Sequence, residues 1–431
     1  MVDPLSVLTV HPTLVSMPLI WILLPITLAP DDLATAPAVR VGGAAHDHLV
    51  VERDTPVVVA VSKVGERRWG YHQFPKLSPL PGGKQLLTFN ASPDDNAAYG
   101  HPGPAFVSGD SGRTWQAYDG DESSIAVSHS PISQVADGEF LCVPFPQGIN
   151  LSDIPGMPKS VGSYFCYAPR KYFVLDDCPQ AVRDYYADIR GFRWSSGRWK
   201  SERIQFPKSD VLIWTSEQKN GSILSRTSFE YPLLRANREL YLAEYKYRFK
   251  HADGSIPKGM VVTCMASRDR GRTFERRGVI AFDPDGKQHP SETAMAATSD
   301  GKLVALGRAT DHRQQPMWIT FSADRGHTWT ARQNVFDFGV MPQLLRLDNG
   351  VLVTTFGRPG VQMGFSVDGT GQTWTQPVEL TSSSCGYTSL LRQSPTEFLI
   401  AYSSFQHRDS QGQNRKAILV QSISVRRRRM Q

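Results

Sequence analysis

Apolar residues in this chain come in short runs, separated by residues that form turns. Gly103-Pro-Ala-Phe-Val107 and Met317-Trp-Ile-Thr-Phe321 are rich in strand-forming side chains. Leu80-Pro-Gly-Gly83, Ser299-Asp-Gly301 and Asp348-Asn-Gly350 each lie between two such runs. Asp-Gly and Asn-Gly between apolar segments are strong hairpin signals. The pattern predicts many short antiparallel strands and little helix. One run differs. Met17 to Ala29 is apolar over 13 residues, too short to cross a bilayer and of the length of a secretory signal's apolar region. No Lys or Arg precedes it, prolines interrupt it, and Met17 is an alternative start. We expect a leader over 1–38, a folded domain over 39–425, a solvated basic tail over 426–431 that contains Arg426 to Arg429, and a secreted or periplasmic location.

One pattern recurs four times: Ser-x-Asp-x-Gly-x-Thr-aromatic. The copies are Ser108 to Trp115, Ser267 to Phe274, Ser322 to Trp329 and Ser366 to Trp374, the last with one extra residue before its Gly. A decayed copy stands at Trp194 to Trp199. Ser and Asp side chains bond nearby backbone N–H groups, Gly accepts a positive φ, and the aromatic ring packs the turn onto a sheet. The motif is therefore read as structural. Its aspartates, Asp110, Asp269, Asp324 and Asp368, are separated by 159, 55 and 44 residues. Units of roughly 40–50 residues with several short strands mark a β-propeller. Three units in the long gap, with a closing unit from Tyr387 onward, give an all-β, six-bladed β-propeller. A solenoid would need capping units, and none is evident.

Composition agrees. Gly and Pro together make about 15% of the chain, and Trp, Tyr and Phe number 9, 14 and 20. Turns and strand packing use both surpluses, and their even spread excludes collagen and coiled coil. The net charge of +6, from 47 basic and 41 acidic residues, suits an anionic ligand. It forms no basic stripe within a nucleic-acid-binding module, so no nucleic acid is expected. The five cysteines are too few and too scattered for a disulfide framework. Cys166 and Cys178 could close one loop in an oxidising compartment; otherwise all five are free buried thiols. No spacing suggests zinc, no phosphate-binding loop or nucleophile elbow appears, and no cofactor is expected.

The four motifs are Asp boxes, or BNR repeats, and over Val50 to Val425 the chain resembles the sialidase (neuraminidase) superfamily. The resemblance implies three arginines that grip a substrate carboxylate, a Tyr nucleophile paired with a Glu, and an Asp acid/base. A neutral phenol attacks beside a carboxylate with less repulsion than a carboxylate would. Pro290-Ser-Glu292 followed by Leu306-Gly-Arg308 resembles the unit that supplies the Glu and the second arginine. Gly357-Arg358 resembles the third-arginine unit, and Gly386-Tyr387 the nucleophile segment. The first half departs from the family. Gln73, in Tyr71-His-Gln-Phe-Pro75, stands where the first arginine is expected, and Arg68 lies nearby out of register. Asp94, Asp95 and His101 precede the first box, with His101 close to the expected Asp register.

Three functions follow. The first is an exo-glycosidase of sialidase type, acting as a monomer on an acidic oligosaccharide or glycoconjugate. Tyr387 would be its nucleophile and Glu292 its base. Arg308 and Arg358 would bind the carboxylate, with Gln73 and Arg68 beside them, and Asp94, Asp95 or His101 would protonate the leaving group. The second is a lyase or glycosidase on uronic-acid polysaccharides, with His72 or His101 and a tyrosine as acid and base. The third is a glycan-binding propeller without turnover.

Overall fold

The computed structural model describes residues 39–42, 47–95, 98, 100–118, 130–166, 168–218, 221–224, 226, 229–309 and 315–429; the side chains of 39–48, 164–168, 218, 428 and 429 stand outside that description. The leader expected over 1–38 lies outside the described residues.

Nearly every described element is a strand. They form five four-stranded antiparallel sheets and two six-stranded ones. Sheet I opens with Tyr71–Pro79, sheet II with Ile132–Ala136, sheet III with Leu234–Ala236, sheet IV with Thr293–Ala297, sheet V with Val340–Arg346 and sheet VI with Thr388–Ser394. The predicted turns at Pro81–Gly83, Ser299–Gly301 and Asp348–Gly350 each join the first strand of a sheet to its second. These opening strands pack on one another in succession: Tyr71–Pro79 on Ile132–Ala136, Leu234–Ala236 on Thr293–Ala297, then Val340–Arg346, then Thr388–Ser394, which packs on Tyr71–Pro79. Sheets II and III meet where the Leu233 N–H donates to Ser133 Oγ at 2.8 Å.

The core is divided in the same way, because the apolar clusters lie between neighbouring sheets; the largest joins sheets II and III through the inserted sheet and its helix. Leu77, Leu87 and Phe89 of sheet I pack with Leu399, Ile418 and Val420 of sheet VI. Val304, Leu306 and Phe321 of sheet IV pack with Leu352 and Phe356 of sheet V. Strands covered on both faces read as continuous apolar runs, so alternation is weak in this sequence.

Sheet VI takes strands from both ends of the fold. Asn414–Arg429 pairs on one side with Glu397–Arg408 and on the other with Asp47–Arg53, in the register Val51↔Val425. The strand continues through Arg429, so the arginines at 426–429 extend the sheet, and Arg426 Nη2 lies 3.3 Å from Glu52 Oε2.

All four repeats join the third strand of a sheet to its fourth. In the third copy, Ser322 Oγ donates to Asp324 Oδ1 at 2.8 Å and accepts from the Gly326 N–H, while the Thr328 N–H and hydroxyl donate to Asp324 at 2.9 and 2.6 Å. The Trp329 indole donates to the Gly326 carbonyl at 3.1 Å. Gly326 has φ +86, and a Cβ there would lie 2.6 Å from Cys264 Sγ of the preceding sheet. The shortened copy at Trp194 occupies the same third-to-fourth position as a two-residue hairpin turn, with Ser196 at φ 53, Gly197 at φ 80, and Trp194 opposite Trp199.

The gap between Asp110 and Asp269 departs from the expected three units. It holds sheet II, the start of sheet III, and an inserted six-stranded sheet that runs from Ile149–Asn150 to Arg248–Phe249, with the helix Gln180–Ala187 beside it. The insert has no repeat motif, so counting by spacing misreads it as a unit. Cys178 is a free buried thiol whose Sγ lies 3.3 Å from the Val174 carbonyl, so no disulfide joins it to Cys166, whose side chain is outside the description.

Candidate active site

In an antiparallel sheet the start of the first strand and the end of the second lie at the same edge. The polar residues singled out below occupy that edge. Glu292 immediately precedes Thr293–Ala297 and Arg308 follows Leu303–Gly307; Arg358 follows Leu352–Gly357; Tyr387 precedes Thr388–Ser394; Asp94 follows Gln85–Ala91. The third strand ends at the opposite edge, so the repeated turns lie away from this group.

Glu292 is its centre, and only 7% of the residue is exposed. Its Oε1 accepts from Arg308 Nη1 at 2.7 Å and from the Tyr387 hydroxyl; its Oε2 accepts from the Met341 N–H at 2.8 Å. Arg308 Nη1 also donates to the Tyr387 oxygen at 3.3 Å. Tyr387 is half-buried. Its ring lies 4.8 Å from that of Phe74, and the Arg358 guanidinium is 5.6 Å from its centroid.

Two backbone devices bring these groups together. A Cβ on Gly357 would lie 2.2 Å from the Gly360 carbonyl and 2.4 Å from Gly386 Cα. Only glycine there lets the Arg358 turn touch the segment before Tyr387. Phe74 (φ 55), Met341 (φ 43) and Arg358 (φ 63) all stand in the left-handed region, which non-glycine residues rarely adopt. Each touches Tyr387 or Glu292. The strands carrying Phe74 and Met341 are bulged there, which turns side chains out of the regular alternation.

Trp69 extends the site towards Asp94. Its indole donates to Asp94 Oδ2 at 2.8 Å, its ring lies 6.0 Å from Phe74, and Arg358 sits 5.2 Å above it. The other sequence candidates lie apart from this network. Gln73 is fully buried, and its Oε1 accepts from the Gly70 N–H at 3.0 Å. Arg68 is mostly exposed, pairs with Glu66 and lies over Tyr71. His72 packs its ring 5.4 Å from Phe89, and burial pushes its pKa down. His101 is exposed, and Asp95 is half-buried in the same loop as Asp94.

Sequence reasoning missed a second group at the same edge. Glu230 and Tyr231 precede Leu234–Ala236, and Tyr245 and Lys246 follow Glu239–Glu244. Glu230 accepts from Lys246 Nζ and from the Tyr245 hydroxyl, the latter at 2.6 Å. Burial alone would push the Glu230 carboxyl up, but Lys246, the Tyr245 hydroxyl and Lys76 together hold its pKa below the usual carboxylate value. Lys76 Nζ donates to the Glu230 carbonyl at 2.8 Å. Tyr231 packs with Ala294, Met341 and Tyr387, and its hydroxyl donates to Met341 Sδ at 3.3 Å. A buried Lys within an apolar strand, as Lys76 is between Phe74 and Leu77, was the one available signal. Among the described residues no group of three or more His, Cys, Asp or Glu could hold a metal ion.

No protein-family model matches the chain, and no curated protein matches it. Solved structures do. A protein of unknown function from Dyadobacter fermentans aligns with TM-score 0.61 and 17% identity over 87% of this chain and 99% of its own. An alpha-L-arabinanase from Penicillium chrysogenum, complexed with arabinobiose, aligns with TM-score 0.51 and 13% identity over 85% of this chain and 98% of its own. The likeness to these two structures is one of fold. The Hadza microbial sialidase Hz136 aligns with TM-score 0.47 and 16% identity over 80% of this chain and 65% of its own.

Proposed function

We propose that this chain is a six-bladed propeller glycoside hydrolase that removes a terminal acidic sugar by a retaining mechanism, with Tyr387 as nucleophile. The observation that carries the reading is the Tyr387 hydroxyl donating to Glu292, with Arg308 on both oxygens. A nucleophile held by a base that a third group orients is the general arrangement for covalent catalysis. Three strained backbone positions around the pair agree with a site built for chemistry. Sheets I to VI, with the repeated turns as Asp boxes, supply the six blades.

The phenol oxygen of Tyr387 attacks the anomeric carbon while its proton passes to Glu292. Asp94 gives its proton to the departing glycosidic oxygen. In the second half, water attacks the same carbon and returns a proton to Asp94, and the phenolate recovers its own from Glu292. Arg358 and Arg308 supply positive charge for the sugar's carboxylate, and a guanidinium fork matches it bidentately.

A second reading rests on Glu230. Two buried carboxylates at one edge, each bonded to a tyrosine, also suit a glycosidase that uses two carboxylates on a neutral sugar such as arabinose. Fluorogenic 4-methylumbelliferyl glycosides of N-acetylneuraminic acid and of L-arabinofuranose separate the two. The first reading expects turnover of the sialoside and a loss on the order of 1,000-fold or more in Tyr387→Phe. Arabinoside turnover that survives Tyr387→Phe and is lost in Glu230→Gln selects the second. Binding of both sugars without turnover rejects both.

A further inference from the structure

Lys76 lies in a stretch from Gln73 to Ser78 that is buried throughout. Its ammonium donates to the Glu230 carbonyl at 2.8 Å and lies 5.7 Å from the centre of the Tyr231 ring. Tyr231 bonds Met341, whose N–H is held by Glu292. Phe74, two residues earlier on the lysine's own strand, packs on Tyr387. One cation thus braces the backbone beside Glu230, the ring that seats Met341, and the strand behind the Tyr387 ring. The charged and titratable groups that face it are Glu230, Glu292, Lys246 and Tyr231.

We propose that Lys76 is a positioning residue: its ammonium holds the Glu230 segment and the Glu292–Tyr387 pair in working register, and activity falls when that ammonium loses its proton. The inference rests on the glycosidase reading above. Burial, helped by Lys246 and opposed by Glu230 and Glu292, brings Lys76 down to about 8. The switch therefore falls within an accessible pH range. Its effect on folding has the opposite sign. The unfolded chain keeps the proton up to the ordinary lysine value of 10.5, so the fold gains stability as pH rises from about 8 towards that value. A lysine serving only structure would not lose activity while the fold tightens.

The test uses the full chain in three variants, Lys76→Met, Lys76→Arg and Glu292→Gln, with the 4-methylumbelliferyl sialoside and arabinoside as probes. Wild-type kcat should fall on an alkaline limb near pH 8. Lys76→Met should lose about 100-fold in kcat at neutral pH, the cost of a small misplacement, and should show no such limb. Lys76→Arg should recover much of the rate and move the limb upward. An unaltered profile in Lys76→Met overturns the proposal. NMR of the reductively 13C-methylated protein reads the lysine without any substrate. One resonance, absent in Lys76→Met, should titrate near 8, and its midpoint should drop in Glu292→Gln. A Lys76 resonance that titrates with the surface lysines, or one indifferent to Glu292→Gln, also overturns it. Should neither glycoside be cleaved, the glycosidase reading fails on that arm, and the NMR arm decides the lysine alone.

Discussion

Glu292 satisfies three donors while nearly out of water, so its loss propagates. Replacing it with leucine takes the carboxylate from the Arg308 guanidinium, whose side chain is 3% exposed, and from the Met341 N–H. Removing one partner of a buried ion pair costs about 3–5 kcal/mol. The urea midpoint of Glu292→Leu should therefore drop sharply, whereas Tyr387→Phe, which removes one hydroxyl, should lose only about 1 kcal/mol. Equal midpoints would show that the pair is not buried. Glu292, Arg308, Arg358 and Tyr387 were named from the resemblance of their segments, not from strand pattern, and the structure brings the four together. Lys76 and Glu230 were not legible, because a single Lys in an apolar run and a Glu in a connection carry no period. Gln73 was read at the first-arginine position, and the structure instead buries it with its amide oxygen on the Gly70 N–H.

The repeated turn is the element best specified by sequence, since its Ser, Asp, Gly and Thr all bond within eight residues. That self-sufficiency has a pH signature. Hydrogen bonds from the Thr114 and Thr328 side chains and N–H groups, with those from Ser108 and Ser322, hold Asp110 and Asp324 down to about 2, against an ordinary 3.8. A carboxyl lowered in the fold contributes stability that is full above its unfolded value and lost as pH falls through its folded one. Thermal unfolding should therefore shift to lower temperature between about pH 4 and 2. A chain with all four motif aspartates changed to asparagine should show a weaker shift. An undiminished shift in that variant would place the acid sensitivity elsewhere. The inserted sheet was illegible for the converse reason. Two of its pairings are local hairpins, but the rest join segments far along the chain, such as Lys171↔Thr215 and Leu212↔Arg248, and it carries no copy of the repeated motif.

At the scale of the whole molecule, apolar clusters are shared by neighbouring sheets, and the last sheet packs on the first. No sheet keeps a core of its own, which is why short apolar runs between turn residues, rather than alternation, mark the strands. The partners Ser62 and Arg415, joined at 2.6 Å, are 353 residues apart, and Asp47–Arg53 waits for Asn414–Arg429 over a similar span. At roughly 5–20 residues per second of synthesis that wait is on the order of tens of seconds. The strand leaves the ribosome early with its pairing edge and its Leu49 and Val51 uncovered. Chains arrested before Asn414 should leave Asp47–Arg53 open to protease, and release of the finished chain should close it. Protection before arrest would mean another segment covers the strand. During synthesis Asp47–Arg53 is therefore a client for whatever shields nascent chains, and its vulnerability lasts until Asn414–Arg429 is made.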